Sequence, residues 1–133
     1  MELEVVETDR TFILRVEGSI QTYNELSRIR CQIYEILEEG TRFFVLNLGG
    51  VEFMNSTTIG GLIGIVRRLK AEGGILAACS LMPGLKRAFS ILGLARLVPI
   101  CETEEEAKEA VMRIAAKPRE DKQMAKKNQA PDV

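Results

Sequence analysis

The stretch VEFMNSTTIGGLIGIVRRLK, residues 51–70, decides how the rest of the chain is read. It leaves an apolar strand, passes through the polar turn Asn55-Ser56-Thr57-Thr58, and enters a helix that carries Gly60, Gly61 and Gly64 in its opening turns. With Ile59 as origin and about 100° per residue, Leu62, Ile63, Val66 and Leu69 cluster as a core face. Thr57, Gly61, Gly64 and Arg68 fall on the opposite side, with Gly60 at its edge. Each glycine in a helix costs on the order of 1 kcal/mol relative to alanine. Outward glycines therefore read as a smooth strip for close approach by another protein, or else as packing against a neighbouring loop. Asn55 and Ser56 are favoured N-cap types, whereas Thr57 heads the strip. A phosphoryl group there would add roughly −1.5 to −2 charges beside the positive helix end. The position reads equally as a switch or as one more cap.

Working outward, the run FFVLNL at 43–48 is almost continuously apolar, as expected of a central strand covered on both faces. Residues 75–79 read as a second buried strand. Residues 1–7 and 11–16 alternate around Thr8-Asp9-Arg10, predicting an antiparallel pair closed by Gly18. Thr22 and Glu25 have capping-box spacing. Leu26, Ile29, Ile33, Ile36 and Leu37 then recur at helical spacing, and Gly40 stops the helix. Tyr23 and Tyr34 sit beside this stripe as edge residues. Pro83 suits a first helical turn; a short helix through Leu85, Phe89 and Leu92 would stop at Gly93, followed by a final strand at 97–100. Thr103 and Glu106 repeat the capping-box spacing. They open a helix with Ala107, Ala110, Val111 and Ile114 inward, and Glu104, Glu105 and Glu106 suit its positive end.

The pattern predicts an α/β fold. A single domain over residues 1–116 has a mixed sheet of about four to five strands against about four helices. Residues 117–133 are poor in apolar side chains and predict a disordered tail.

Composition narrows the function. A formal net charge of −1 gives no electrostatic case for direct nucleic-acid binding. No apolar run approaches the length of a transmembrane segment, and the opening MELEVVETDR lacks a signal-peptide pattern; the expected location is cytoplasmic. Cys31, Cys79 and Cys101 are odd in number and widely spaced, which speaks against a disulfide framework or a metal site. The chain has 0 histidines and so lacks the commonest general base and metal ligand. An enzyme using Cys79 or Ser56 as nucleophile is the weakest reading, and no catalytic residue or cofactor is expected. Neither a Walker pattern nor GxGxxG occurs.

At this point the run LNLGGVEFMNSTTIGGLIGIVRRLKAEGG, residues 46–74, resembles the signature of STAS domains, typified by bacterial anti-sigma factor antagonists. In that family an apolar strand ends in an Asp-Ser-Ser/Thr-Gly turn followed by a Gly-rich helix. The resemblance extends to VEGSI at 16–20 and to PGLKRAFSILGLARLVPICETEEEA at 83–107. It implies a non-enzymatic STAS domain that binds an anti-sigma factor with serine/threonine-kinase activity of the GHKL type. The second hydroxyl of the turn is phosphorylated by that kinase and dephosphorylated by a PP2C-type phosphatase. By position the acceptor is Thr57, with Ser56 immediately before it. The partner surface falls on Gln21, Asn55, Ser56, Thr57, Thr58, Gly60, Gly61, Gly64 and Arg68. Asn55 stands where the motif has Asp, Thr58 where it has Gly, and Gln21 where an acidic residue is common. The family also includes partner-binding modules. The alternative is therefore a constitutive adaptor in a stressosome-like or lipid-transport assembly, without phospho-switching. Oligomeric state is left open.

Overall fold

The computed structural model of the chain describes residues 1–116; the tail expected over 117–133 lies outside the described residues. In chain order come β1 (Glu2–Thr8), β2 (Thr11–Glu17), α1 (Tyr23–Glu38), β3 (Phe43–Gly50), α2 (Ser56–Ala71), β4 (Ile75–Cys79), α3 (Pro83–Ile91), a 3-10 turn (Leu94–Arg96), β5 (Ile100–Cys101) and α4 (Glu104–Ala116). The five strands lie in sequential order, with β1 antiparallel to β2 and every later pair parallel. The β1–β2 turn places both Asp9 (φ 51°) and Arg10 (φ 66°) in the left-handed region, the backbone of a tight hairpin whose twist matches its strands.

The alternation of β3 assigns the layers. Phe44, Leu46 and Leu48 join the larger core, to which α1, α2 and α3 contribute Ile33, Ile59, Leu62 and Phe89. Val45 faces the other way, with Ile13, Ala77 and Cys79, against Ala107, Ala110 and Val111 of α4. Both faces of β3 are thus covered, which is why its sequence is a continuous apolar run. The small side chains of Ala77, Ala107 and Ala110 let α4 lie close to its face of the sheet.

Local signals hold up well. Thr22 and Glu25 form a reciprocal capping box, and the five apolar residues expected inward on α1 are its buried residues. Pro83 is in the first turn of α3. Three expectations need correction. On α2 the buried set is Thr58, Ile59, Leu62, Ile65, Val66 and Leu69, so Ile65 replaces Ile63 and the arc is rotated toward α1. On α4, Ile114 is 38% exposed, so the inward set ends at Val111. The final strand is Ile100–Cys101 rather than 97–100. Gly93, at φ 93°, starts a 3-10 turn that carries the chain to Pro99 before pairing with β4 begins.

A polar staple crosses the α4 face. Arg15 on β2 donates from Nε to Glu104 Oε2 at 2.7 Å and from Nη2 to Glu104 Oε1 at 3.0 Å, a two-pronged ion pair. Asn47 on β3 donates to the same carboxylate at 2.6 Å and accepts from the Gly49 N–H at 2.8 Å. The Arg15 bond, ahead of the one from Asn47, holds the Glu104 carboxyl below its usual range. Its ionised form is favoured by folding, so its stabilisation is present above the unfolded-state value of about 4.3 and is lost as pH falls through the lowered folded value. Glu104→Gln is expected to lower the thermal midpoint at neutral pH. The gap to the parent protein should narrow as pH drops from about 5 toward 3; a gap independent of pH in thermal melts would contradict this.

Candidate functional site

The β3–α2 turn is built by two side chains facing inward. Asn55 is the N-cap of α2: its Oδ1 accepts from the Thr58 N–H at 2.8 Å, and its Nδ2 donates to the Gln21 carbonyl at 3.0 Å. The Thr58 hydroxyl lies 3.0 Å from the Ile20 carbonyl, 3.0 Å from the Asn55 carbonyl and 3.1 Å from Asn55 Oδ1. Ile20 in turn donates its N–H to the Phe53 carbonyl at 3.0 Å. These bonds lock the β2–α1 loop, which carries Gln21, onto the turn. Thr58, expected at the partner surface, is 3% exposed. Its side chain supports that surface from beneath instead of presenting to it. A glycine at this position would supply none of these side-chain bonds.

Ser56 and Thr57 occupy the first two helical positions and are exposed. Neither hydroxyl forms a hydrogen bond among the described residues. Thr57, unlike Ser56, also borders a groove of about 370 Å³ between α1 and α2. Its α1 wall includes Tyr23, Leu26 and Tyr34, its α2 wall Gly61, Gly64 and Ile65. Gln21 lies at the Thr57 end.

The glycine strip divides by function. A Cβ on Gly61 would come within 2.3 Å of Leu26 Cδ2, so Gly61 is there to let the two helices close together. That is the packing reading. In front of Gly60 and Gly64 there is nothing within 4 Å, so those two are open to a partner. Arg68 is exposed. Its guanidinium lies 4.5 Å from the ring centroid of Tyr34 and pairs with Glu72 at 3.1 Å, which steadies the ring at the far end of the groove.

Tyr23 and Tyr34 are edge residues of α1 as expected, and the edge they occupy is a wall of the site. Arg30, also on this wall, was not singled out by the sequence; its place seven residues after Tyr23, two helical turns along one face, was the available signal. Beyond the groove, Phe53 and Met82 are 49% and 38% exposed. They follow β3 and β4, on the strand-end side of the sheet where α/β proteins commonly bind.

Cys79 is fully buried, and desolvation pushes its thiol up to about 11, far from the thiolate a nucleophile requires. Among the described residues no group of three or more His, Cys, Asp or Glu is arranged to hold a metal ion. No helix among them is long and apolar enough to cross a membrane.

The profile of the STAS domain family matches residues 2–107. The chain is 25% identical over 108 residues to the anti-sigma F factor antagonist of Paenibacillus polymyxa, covering 80% of this chain and 92% of that one. To the anti-sigma F factor antagonist of Lysinibacillus sphaericus it is 30% identical over 107 residues, covering 80% and 89%. Among solved structures it resembles the Bacillus cell fate determinant SpoIIAA in its phosphorylated form. That match has a TM-score of 0.63 and 25% identity, covering 80% of this chain and 96% of that chain.

The divided strip makes opposite demands at two glycines. Gly64→Ala is expected to stabilise the protein by about 0.5–1 kcal/mol, because its methyl enters open space and the helix gains propensity. Gly61→Ala should destabilise it, since the Leu26 methyl it would strike has to shift within the packed core. Urea unfolding of both variants checks this, and shifts of the same sign would contradict it.

Proposed function

Because the chain belongs to the STAS domain family, we propose that it is an anti-sigma factor antagonist whose binding face is the first turn of α2 together with the α1–α2 groove. Residues 1–116 form the binding domain. It acts in the cytoplasm by capturing an anti-sigma factor that is also a serine/threonine kinase of the GHKL type, and so releases a sigma factor for transcription. Support comes from the relatives named anti-sigma F factor antagonists and from the open backbone at Gly60 and Gly64.

Thr57 is the proposed switch. The observation that carries this is its exposure at the second position of α2, on the border of the groove, while Asn55 and Thr58 are committed to holding the turn. A phosphoryl group on Thr57 is compatible with the helix, because the N–H groups of the first turn lack intrahelical acceptors and the dipole favours negative charge. It is incompatible with a partner seated in the groove, which would meet added bulk and roughly two negative charges at once. Modification therefore leaves the fold intact and removes the partner; a PP2C-type phosphatase restores binding. A structural relative, SpoIIAA, is known in a phosphorylated form. Asn55 and Gln21 bring no carboxylate to the acceptor, so the base that takes the threonine proton comes from the kinase.

Incubation with the cognate kinase and ATP is expected to place one phosphate on Thr57. It should be abolished in Thr57→Ala and retained in Ser56→Ala, as read by phosphopeptide mapping. A stable complex without any modification would remove the switch and leave a constitutive adaptor of the stressosome or lipid-transport kind. Gly64→Arg should weaken the complex by about tenfold or more by filling the open strip at the interface centre; unchanged affinity would show that the partner binds elsewhere.

A further inference from the structure

Four cations of the described residues are held in ion pairs. Arg15 is held by Glu104 and Glu4, Arg68 by Glu72, Lys86 by Glu102 and Lys108 by Glu105. Arg30 differs. It is half-buried on α1 and makes no ion pair among the described residues. Its guanidinium donates to Ser27 Oγ at 2.8 Å and to the Tyr23 hydroxyl, and lies 5.0 Å from the centroid of the Tyr23 ring. These contacts orient the guanidinium without neutralising it. Arg30 also lines the α1–α2 groove, and no carboxylate lines that groove with it. The remaining walls are apolar, aromatic or glycine, and the polar residues at the Thr57 end are neutral.

An apolar trough with one unneutralised cation has a definite complement. We propose that the groove receives an apolar segment of the anti-sigma factor that seats an Asp or Glu carboxylate on Arg30. This deepens the function proposed above and rests on it for the identity of the partner. The guanidinium offers paired N–H donors that match a carboxylate. Seating the segment would exclude water from the pair and strengthen it relative to a surface contact. Tyrosine and arginine are the residue types that dominate binding energy at protein interfaces, and Tyr23, at 65% exposed, stands at the rim ready to be covered. The same charge relation sharpens the switch: a phosphate on Thr57 repels the partner's carboxylate and competes with it for Arg30.

The test uses the full chain, labelled with 15N, and two synthetic amphipathic peptides as probes. They share a leucine-rich apolar face and differ in carrying glutamates or lysines beside it. The glutamate peptide is expected to shift the backbone amides of Gly61, Gly64 and Tyr34 and to bind about tenfold or more tighter than the lysine peptide. Arg30→Glu should invert that preference, Arg30→Gln should erase it, and Arg30→Lys should keep its direction, each in a protein whose amide spectrum stays dispersed. Shifts centred elsewhere, binding of neither peptide, or a preference unmoved by Arg30→Glu would overturn the proposal. The peptides carry no anti-sigma sequence. Peptide selectivity without capture of the anti-sigma factor would therefore refute the functional reading and keep the groove chemistry. Capture of the anti-sigma factor indifferent to Arg30→Glu would do the reverse.

Discussion

The joint between the β2–α1 loop and the β3–α2 turn is the constraint on which the site depends. Asn55 caps α2 with its oxygen and holds the Gln21 carbonyl with its nitrogen, while the Thr58 hydroxyl reaches the Ile20 carbonyl beneath. A side-chain cap of this kind contributes about 1 kcal/mol, and here it is shared between two loops. Its larger effect is on presentation. With Asn55 and Thr58 turned inward, the residues between them, Ser56 and Thr57, have to face out at the start of the helix.

That joint sits where the sheet can support it. The β3 strand is buried on both faces and paired on both edges, so its C-terminal end is a fixed platform. Gly61 then brings α2 against Leu26 of α1. The two helices meet closely at that point and part further out, which is how a groove arises between two elements that otherwise share one core. On the far face, Glu104 joins α4 to β2 and β3 through Arg15 and Asn47. Asn47 also binds the Gly49 N–H, so the staple reaches the segment that leads into the turn.

What the sequence revealed and what it concealed divide along physical lines. Capping boxes, the proline at the start of α3 and the hairpin turn are local, and their signals lie within a few residues. The mixed sheet of about four to five strands followed from the double coverage of 43–48 and the alternation at the N-terminus. The buried arc of α2 was misjudged because helical periodicity locates a face without saying which neighbours flank it; α1 drew the arc toward Ile65 and gave Gly61 a packing role. Thr58 looked like its polar neighbours and differs from them only in tertiary direction. The Arg15–Glu104 pair spans 89 residues, beyond any local pattern. Arg30 lay unnoticed because its significance comes from a counter-charge that the fold does not bring to it.

These features support one account in which a rigid turn offers a single hydroxyl beside an open groove, and modification of that hydroxyl decides whether the groove can be filled. The most direct measurement is calorimetric titration of the anti-sigma factor with this protein, unmodified and then stoichiometrically phosphorylated on Thr57. The unmodified form is expected to bind, and the phosphorylated form, folded and equally stable, to bind about a hundredfold or more weaker. Equal affinity of the two forms would contradict it.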